Sequence, residues 1–216
     1  MASVLLIRHG ETEWNLVNRI QGSSDSPLTA KGQAQAKALA DRLAAEAIDA
    51  LHVSDLGRTR QTADPIAAAL GLAPVLEPAL RERNYGAWEG LTFAEARLEY
   101  PQEYERFSSH DPYSAAPRGE SALQFQQRIV GALTRLAQDY RGKRVAVVTH
   151  GGPLGVMYRW AMALGLDAPR NYSIANASIN RLSFDGTYWR IERWGEVDHL
   201  PPDIRQDSKK VEPAAR

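Results

Sequence analysis

Two histidines in this sequence stand in the same setting. His9 follows the apolar run at 4–7 in Leu6-Ile7-Arg8-His9-Gly10, and His150 follows the run at 145–148 in Val148-Thr149-His150-Gly151. Short runs of this kind, rich in β-branched residues, read as buried strands, and in an open α/β sheet ligands bind beyond the carboxyl ends of the strands. If both runs lie parallel in one sheet, both imidazoles meet at its edge. Arg8 arrives there with His9. Arg58 and Arg60 follow a third run at 50–53, and Glu82 lies in a loop at 80–86. Each has an ordinary meaning taken singly: a polar loop pair for Arg8 and His9, a helix-start residue for His150, a solvated helix arginine for Arg58, a local ion pair with Arg81 or Arg83 for Glu82. Together they would require several coincidences of polar strand ends.

Two imidazoles with a carboxylate can hold a metal ion. Two arginines at the same edge, however, repel a divalent cation and attract an anion. A guanidinium matches phosphate oxygens bidentately and keeps its charge at any working pH, while a neutral imidazole can act as a nucleophile. These residue types favour a phosphoryl group held by Arg8 and Arg58 and attacked by an imidazole nitrogen. The second imidazole and the arginines would stabilise charge on the equatorial oxygens. A carboxylic acid would protonate the leaving oxygen, the role open to Glu82.

The elements needed to position these groups are legible in outline. Thr29 caps a helix over 30–46, in which Gly32 is a small local cost, and a second helix runs to Leu70 with Gly71 as its stop. Pro65 predicts a kink or break in that helix, with Asp64 capping its second half. Thr92 and Glu95 form a capping-box pattern before a short helix that Pro101 ends or bends. Residues 108–119 form a long surface loop, and 121–140 an amphipathic helix. Pro153 suits the first turn of a helix to about Leu164, with Gly165 beyond. Residues 178–184 and 187–194 alternate about Asp185-Gly186, a two-residue hairpin signal. Strands alternating with helices predict an α/β three-layer sandwich, a mostly parallel sheet with an antiparallel edge and helices on both faces. The expected organisation is one domain over 1–200 and a polar tail at 201–216.

The 216 residues suffice for a sizeable core. Lys and Arg total 26, as do Asp and Glu, so no global basic field gathers nucleic acid or an anionic membrane. Phosphate binding must come from a few local arginines. Cysteine is absent, which excludes disulfides and thiolate metal sites and fits a reducing cytoplasm. The apolar run at 4–7 is too short for a signal sequence, and no run reaches membrane-spanning length.

Four blocks carry a family resemblance: Leu6-Ile7-Arg8-His9-Gly10-Glu11-Thr12, Ser54-Asp55-Leu56-Gly57-Arg58-Thr59, Leu80-Arg81-Glu82 and Thr149-His150-Gly151, with Gly119-Glu120-Ser121 as a further landmark. In this order and spacing, to about Leu200, they resemble the histidine phosphatase superfamily, also called phosphoglycerate mutase-like. The resemblance implies that His9 becomes phosphohistidine, that Arg8, Arg58 and His150 form the phosphate pocket beside Gly151, and that Glu82 donates a proton and then activates water. It places Asn15, Gln21 and Gly22 where side chains or backbone reach the transferred phosphate, and Arg60, Arg83 and Tyr85 where substrate contacts occur. It implies a small phosphorylated metabolite as substrate and no metal.

Phosphatases and mutases of this family share that chemistry. The cofactor-dependent mutases carry a longer insertion between the Glu82-type and Gly-Glu-Ser motifs, with adjacent arginines for the substrate carboxylate. Here that region is short, and Arg97, Arg106 and Arg118 are scattered. Residues 86–90 also resemble the phosphatase branch, although 82–86 keep a mutase-like character. The expectation is a phosphatase of small phosphomonoesters without a cofactor. The alternatives are a phosphoglycerate mutase primed by 2,3-bisphosphoglycerate and a non-catalytic phospho-ligand binding domain. Among the aromatics at the expected mouth (Trp14, Tyr85, Trp88, Phe107, Tyr113), Trp88 is the candidate for specificity. His52, His110 and His199 lack the strand-end setting and read as surface or structural.

Overall fold

The apolar strands at 2–8 and 144–149 bury both faces, which requires cover on both sides of their sheet. A computed structural model of the chain describes residues 1–205; the rest of the polar tail read from the sequence, 206–216, lies outside the described residues. Among the described residues there are six strands: β1 (Ala2–Arg8), β2 (Ala50–Val53), β3 (Pro74–Leu76), β4 (Arg144–Thr149), β5 (Ile179–Phe184) and β6 (Trp189–Glu196). The helices are α1 (Glu13–Leu16), α2 (Ala30–Leu43), α3 (Gly57–Leu70), α4 (Phe93–Glu99), α5 (Pro101–Ser108), α6 (Ala122–Asp139) and α7 (Gly151–Ala161).

The strands form one sheet in the order β3-β2-β4-β1-β5-β6. The first four are mutually parallel, β5 is antiparallel to β1, and β6 is antiparallel to β5. The period-2 alternation divides the strand residues between two cores. Val4, Leu6, Val145, Val147 and Leu182 face α6 and α7. Leu5, Ile7, Leu51, Ala146 and Val148 face α2 and α3. This is the expected sandwich of three layers. A smaller apolar cluster of Ile20, Trp88, Ala96 and Ala116, joined by Tyr85, Tyr104 and Phe107, packs α4 and α5 as a separate cap.

Register brings the functional strand ends together. Arg8 pairs with Thr149 across β1 and β4, so the next residues, His9 and His150, leave the sheet side by side. The His9 N–H donates to the Thr149 carbonyl at 3.0 Å.

Helix starts follow their capping residues: Thr29, Thr92 and Ser121 each accept a backbone N–H of the first turn. Pro101 separates α4 from α5 and occupies the first turn of the latter. Four local expectations are corrected. Helix α3 runs through Pro65 without a break, and Asp64 caps nothing. The carbonyl deprived of its partner belongs to Gln61, an exposed residue, while Thr62, Ala63 and Ile66 hold the helix against the core. Gly32 is required rather than merely tolerated, since a Cβ there would lie 2.0 Å from the Glu11 carbonyl oxygen. Helix α7 stops at Ala161, before Gly165. Ala163 takes the left-handed conformation (φ 52°), with Leu164 N–H bonding back to the Arg159 carbonyl at 2.8 Å, a Schellman-type closure without glycine. The hairpin pairs Phe184 with Trp189, so its loop is 185–188. The Asp185 carboxylate accepts the N–H groups of Thr187 and Tyr188 at 2.9 and 2.8 Å, and this Asx turn displaces the two-residue form.

At the chain's end Leu200 is buried and Ile204 packs on the core, its carbonyl accepting from Gln35 at 2.8 Å. No helix among the described residues is long and apolar enough to cross a membrane.

Candidate active site

His9 is 3 % exposed, and its Nδ1 lies 2.7 Å from the carbonyl of Gly10. A carbonyl only accepts, so Nδ1 carries the proton and the Nε2 lone pair is left available. Burial is the largest influence on this ring, followed by the charges of Arg58 and Arg8. All three hold its pKa well below the usual histidine value, so His9 is neutral at pH 7.

His150 is the edge-on neighbour of His9, with ring centroids 5.3 Å apart at 63°. Its tautomer is the opposite one. Arg58 Nε donates to His150 Nδ1 at 3.1 Å, so the proton sits on Nε2 and is shared with Ser54 Oγ at 2.7 Å. Burial, then Arg58, His9 and Arg8, keep this ring neutral too.

The two arginines are held differently. Arg58, 1 % exposed, donates to His150, to the carbonyls of Ser24 and Gly22 at 2.7 and 2.8 Å, and to Asp25 at 3.1 Å. It is thereby fixed as part of the wall. Asp25 also accepts the backbone N–H groups of Gly57 and Arg58, so a remote carboxylate caps α3 where Leu56 has no capping side chain. Among the described residues, Arg8 is anchored through Nη1 to the Ile174 carbonyl at 2.5 Å, and its buried Nε has no partner. Burial, with help from Arg170 and Arg58 and against Glu82, lowers its pKa to about 10, so it stays charged at pH 7. A half-buried cation with a buried, unused donor suits an anion.

Glu82 lies at the same mouth. Its Oε1 accepts the Arg83 N–H at 2.8 Å and its Oε2 the Gly152 N–H at 2.9 Å. Gly152 must be glycine for this approach, because a Cβ there would sit 1.9 Å from Oε1. Gly151 opens α7 with its Cα beside Arg8; a Cβ there would lie 3.4 Å from Arg8 Nε.

Asn15 Oδ1 accepts from Thr12 N–H at 3.1 Å and from Asn176 Nδ2 at 3.3 Å, which fixes the amide so that its NH₂ group is the free end. Gln21 donates to Thr12 Oγ1 at 2.8 Å, and its buried Oε1 has no partner among the described residues. Gly22, in the left-handed region, sits against Glu89, whose carboxylate also holds the N–H groups of Ser23 and Ser24 at 2.8 Å.

The outer residues divide. Tyr85 is half-buried, and desolvation with the Glu82 charge pushes its phenol up to about 12, so it stays a hydrogen-bond donor. Arg83 bonds the carbonyls of Glu120 and Ser114 at 2.8 and 3.0 Å and lies over the rings of Tyr85 and Phe107, holding the 108–120 stretch rather than facing outward. Arg60 is exposed on the first turn of α3 and is not drawn into the cluster. Trp88 is corrected: it is fully buried against Tyr104 and Phe107, with ring distances of 5.7 and 5.2 Å, and supports the cap from within. His52 packs edge-on against Tyr140 and His199 bonds the Ala177 carbonyl, and neither ring bonds a side chain of this cluster.

Sequence reasoning missed Asp25, Ser54, Gly152, Arg128 and Asn176. Ser54 lies inside one of the family blocks and Gly152 directly after another, but only three-dimensional pairing gives them partners. The resulting arrangement is a neutral imidazole with a free Nε2 lone pair, an under-satisfied arginine and a carboxyl group converging on one strand edge. It suits attack on a bound phosphoryl group.

Comparison with known proteins agrees with this geometry. The sequence profile of the histidine phosphatase superfamily (branch 1) matches residues 4–197. A protein of Escherichia fergusonii named "Probable phosphoglycerate mutase GpmB" is 38% identical over 205 residues, covering 93% of this chain and 95% of that one. Among solved structures, Bacillus stearothermophilus YhfR superposes with a TM-score of 0.83 at 32% identity, over 92% of this chain and 99% of the other. The phosphoserine phosphatase of Entamoeba histolytica, solved with 3-phosphoglyceric acid, gives 0.83 at 28% identity over 93% and 100%. On the strength of this profile match and the strand-end cluster it spans, the chain belongs to the histidine phosphatase superfamily, whose members transfer phosphoryl groups as phosphatases or mutases.

Proposed function

We propose that this protein hydrolyses small phosphomonoesters through a phosphohistidine at His9, without a metal ion. The observation that carries the reading is the His9 tautomer: Nδ1–H is tied to the Gly10 carbonyl and the ring is buried and neutral, which leaves Nε2 as the nucleophile beside Arg8. In the first step Nε2 attacks phosphorus, the P–O bond to the leaving group breaks, and Glu82 gives its proton to the departing oxygen. In the second, the Glu82 carboxylate takes a proton from water, whose oxygen displaces His9 and releases inorganic phosphate. Arg8, the free amide NH₂ of Asn15 and the wall formed by Arg58 and Gly22 carry the equatorial oxygens. Hydrolysis is favoured over transfer by the compact cap at 86–119, which lacks paired arginines for a second anion. The relative named as a phosphoserine phosphatase matches over its whole length.

The mutase reading has one specific support, the name carried by the E. fergusonii relative. The two are separated by supplying 3-phosphoglycerate with 2,3-bisphosphoglycerate as primer. Phosphate release outpacing 2-phosphoglycerate formation supports the hydrolase; the reverse order supports the mutase. Hydrolysis of 4-nitrophenyl phosphate is expected to persist in EDTA. Loss of activity in EDTA, restored by a divalent ion, contradicts the metal-free reading.

A further inference from the structure

Glu82 belongs to no regular element. It follows a 3-10 turn at Pro78–Leu80 and precedes another at Gly86–Trp88. A group that hands over a proton must be held to within about 0.5 Å of the productive position by supporting contacts. Both hydrogen bonds to its carboxylate come from backbone N–H groups, so its position depends on how the 79–84 backbone is fixed.

That backbone converges on one side chain of α6. Arg128 Nη1 donates to the carbonyls of Ala79 and Arg81 at 2.9 and 3.0 Å, and Nη2 to the carbonyl of Glu82 itself at 3.2 Å. The guanidinium is aimed by Glu120, which accepts from Nε at 2.9 Å and from Nη2 at 2.7 Å in a bidentate pair. Glu120 also grips the far end of the segment. Its N–H donates to the Asn84 carbonyl at 2.8 Å, its own carbonyl accepts from Arg83 Nε at 2.8 Å, and its carboxylate lies 3.4 Å from the Asn84 N–H. The pair is largely shielded, with side chains 27% and 15% exposed. Neither residue bonds His9, Arg8, Arg58 or His150.

We propose that Arg128 and Glu120 are positioning residues for Glu82, setting proton delivery to the leaving group while leaving attack by His9 untouched. This rests on Glu82 being the proton donor. Arg128→Lys and Glu120→Gln keep the size and most of the packing, and a melting temperature within a few degrees of the parent's shows that they fold. The readout is kcat/KM for two aryl phosphates that differ by one para nitro group. 4-Nitrophenolate leaves without a proton, whereas phenolate from phenyl phosphate needs one. The phenyl to 4-nitrophenyl ratio is expected to fall at least about 5-fold in either variant, part of the 10²–10⁴-fold that positioned proton transfer supplies. The double variant should be no worse than the poorer single one, since both act through one contact. Equal losses with both substrates, or none with either, overturn the proposal. Failure of the underlying reading is seen separately, in the parent: if Glu82→Gln leaves the ratio unchanged, Glu82 is not the donor and the clamp has nothing to position.

Discussion

His9 and His150 face each other as neutral rings with opposite tautomers, each set by a partner that can play only one part: a carbonyl for His9 and a guanidinium for His150. Burial first, and arginine charge second, keeps protons off both. Their ring C2–H resonances are therefore expected to stay unmoved between pH 8 and about 5.5, where an unperturbed histidine near 6.5 titrates. A titration near 6.5 at either ring contradicts the account. Asp25 matters at the same scale because it caps α3 and pairs with Arg58 at once. Asp25→Ala is expected to cost about 1 kcal/mol in urea denaturation, within the range for a lost cap, and to weaken inhibition by inorganic phosphate. An unchanged inhibition constant would separate Arg58 from phosphate binding. The paired histidines, both arginines and Glu82 were legible in the sequence because each sits in or directly after a recognisable apolar run or loop block. Asp25 was not, since it lies 33 residues from Arg58 in an unremarkable polar loop and its role exists only through a long-range pair.

At the scale of elements, strands and caps were legible because periodicity and capping chemistry are local. Pro65, Ala163 and the 185–188 turn were misread for the opposite reason. Packing overrode local propensity at Pro65, backbone hydrogen bonds that close the helix end did so at Ala163, and a side-chain-to-backbone bond did so at the turn. Pro65 gives the sharpest test. The helix continues through it, so Pro65→Ala restores a backbone donor with no change of shape and is expected to stabilise the protein by about 1–3 kcal/mol. A loss of stability would mean that the break predicted from sequence does exist. Leu133, fully buried between α6 and the sheet, is expected to cost about 2–5 kcal/mol when replaced by alanine. Trp88 belongs to the separate cap cluster. Trp88→Ala should loosen residues 85–117 in hydrogen exchange while the sheet amides stay protected, and equal loosening of both would join cap and sandwich into one cooperative unit.

For the whole molecule, four imidazoles (His9, His52, His150 and His199) have pKa values lowered chiefly by burial. The unfolded chain takes up their protons as pH falls through about 6.5, whereas the folded chain does not. The stability they contribute is thus complete above about pH 6.5 and is lost progressively below it, by about 1.4 kcal/mol per pH unit for each ring still neutral. The urea midpoint should drop steeply between pH 6.5 and 5, and His9→Gln should flatten that slope; a midpoint independent of pH over this interval contradicts the burial. The three-layer plan was readable from the alternation of strands and helices, whereas the apposition of the cap to the site was not, because it depends on Arg83, Glu89 and Glu120 joining distant loops. The central claim is that His9 carries the phosphoryl group. Quenching the enzyme in mid-turnover with a phosphomonoester, then mapping the phosphate by mass spectrometry under alkaline conditions, measures this directly. The account predicts an acid-labile, alkali-stable phosphate on His9, absent from His9→Ala, which is also expected to lose at least about 10³-fold in kcat. Sustained turnover with no phosphate on His9, or a His9→Ala variant that keeps its activity, would contradict it.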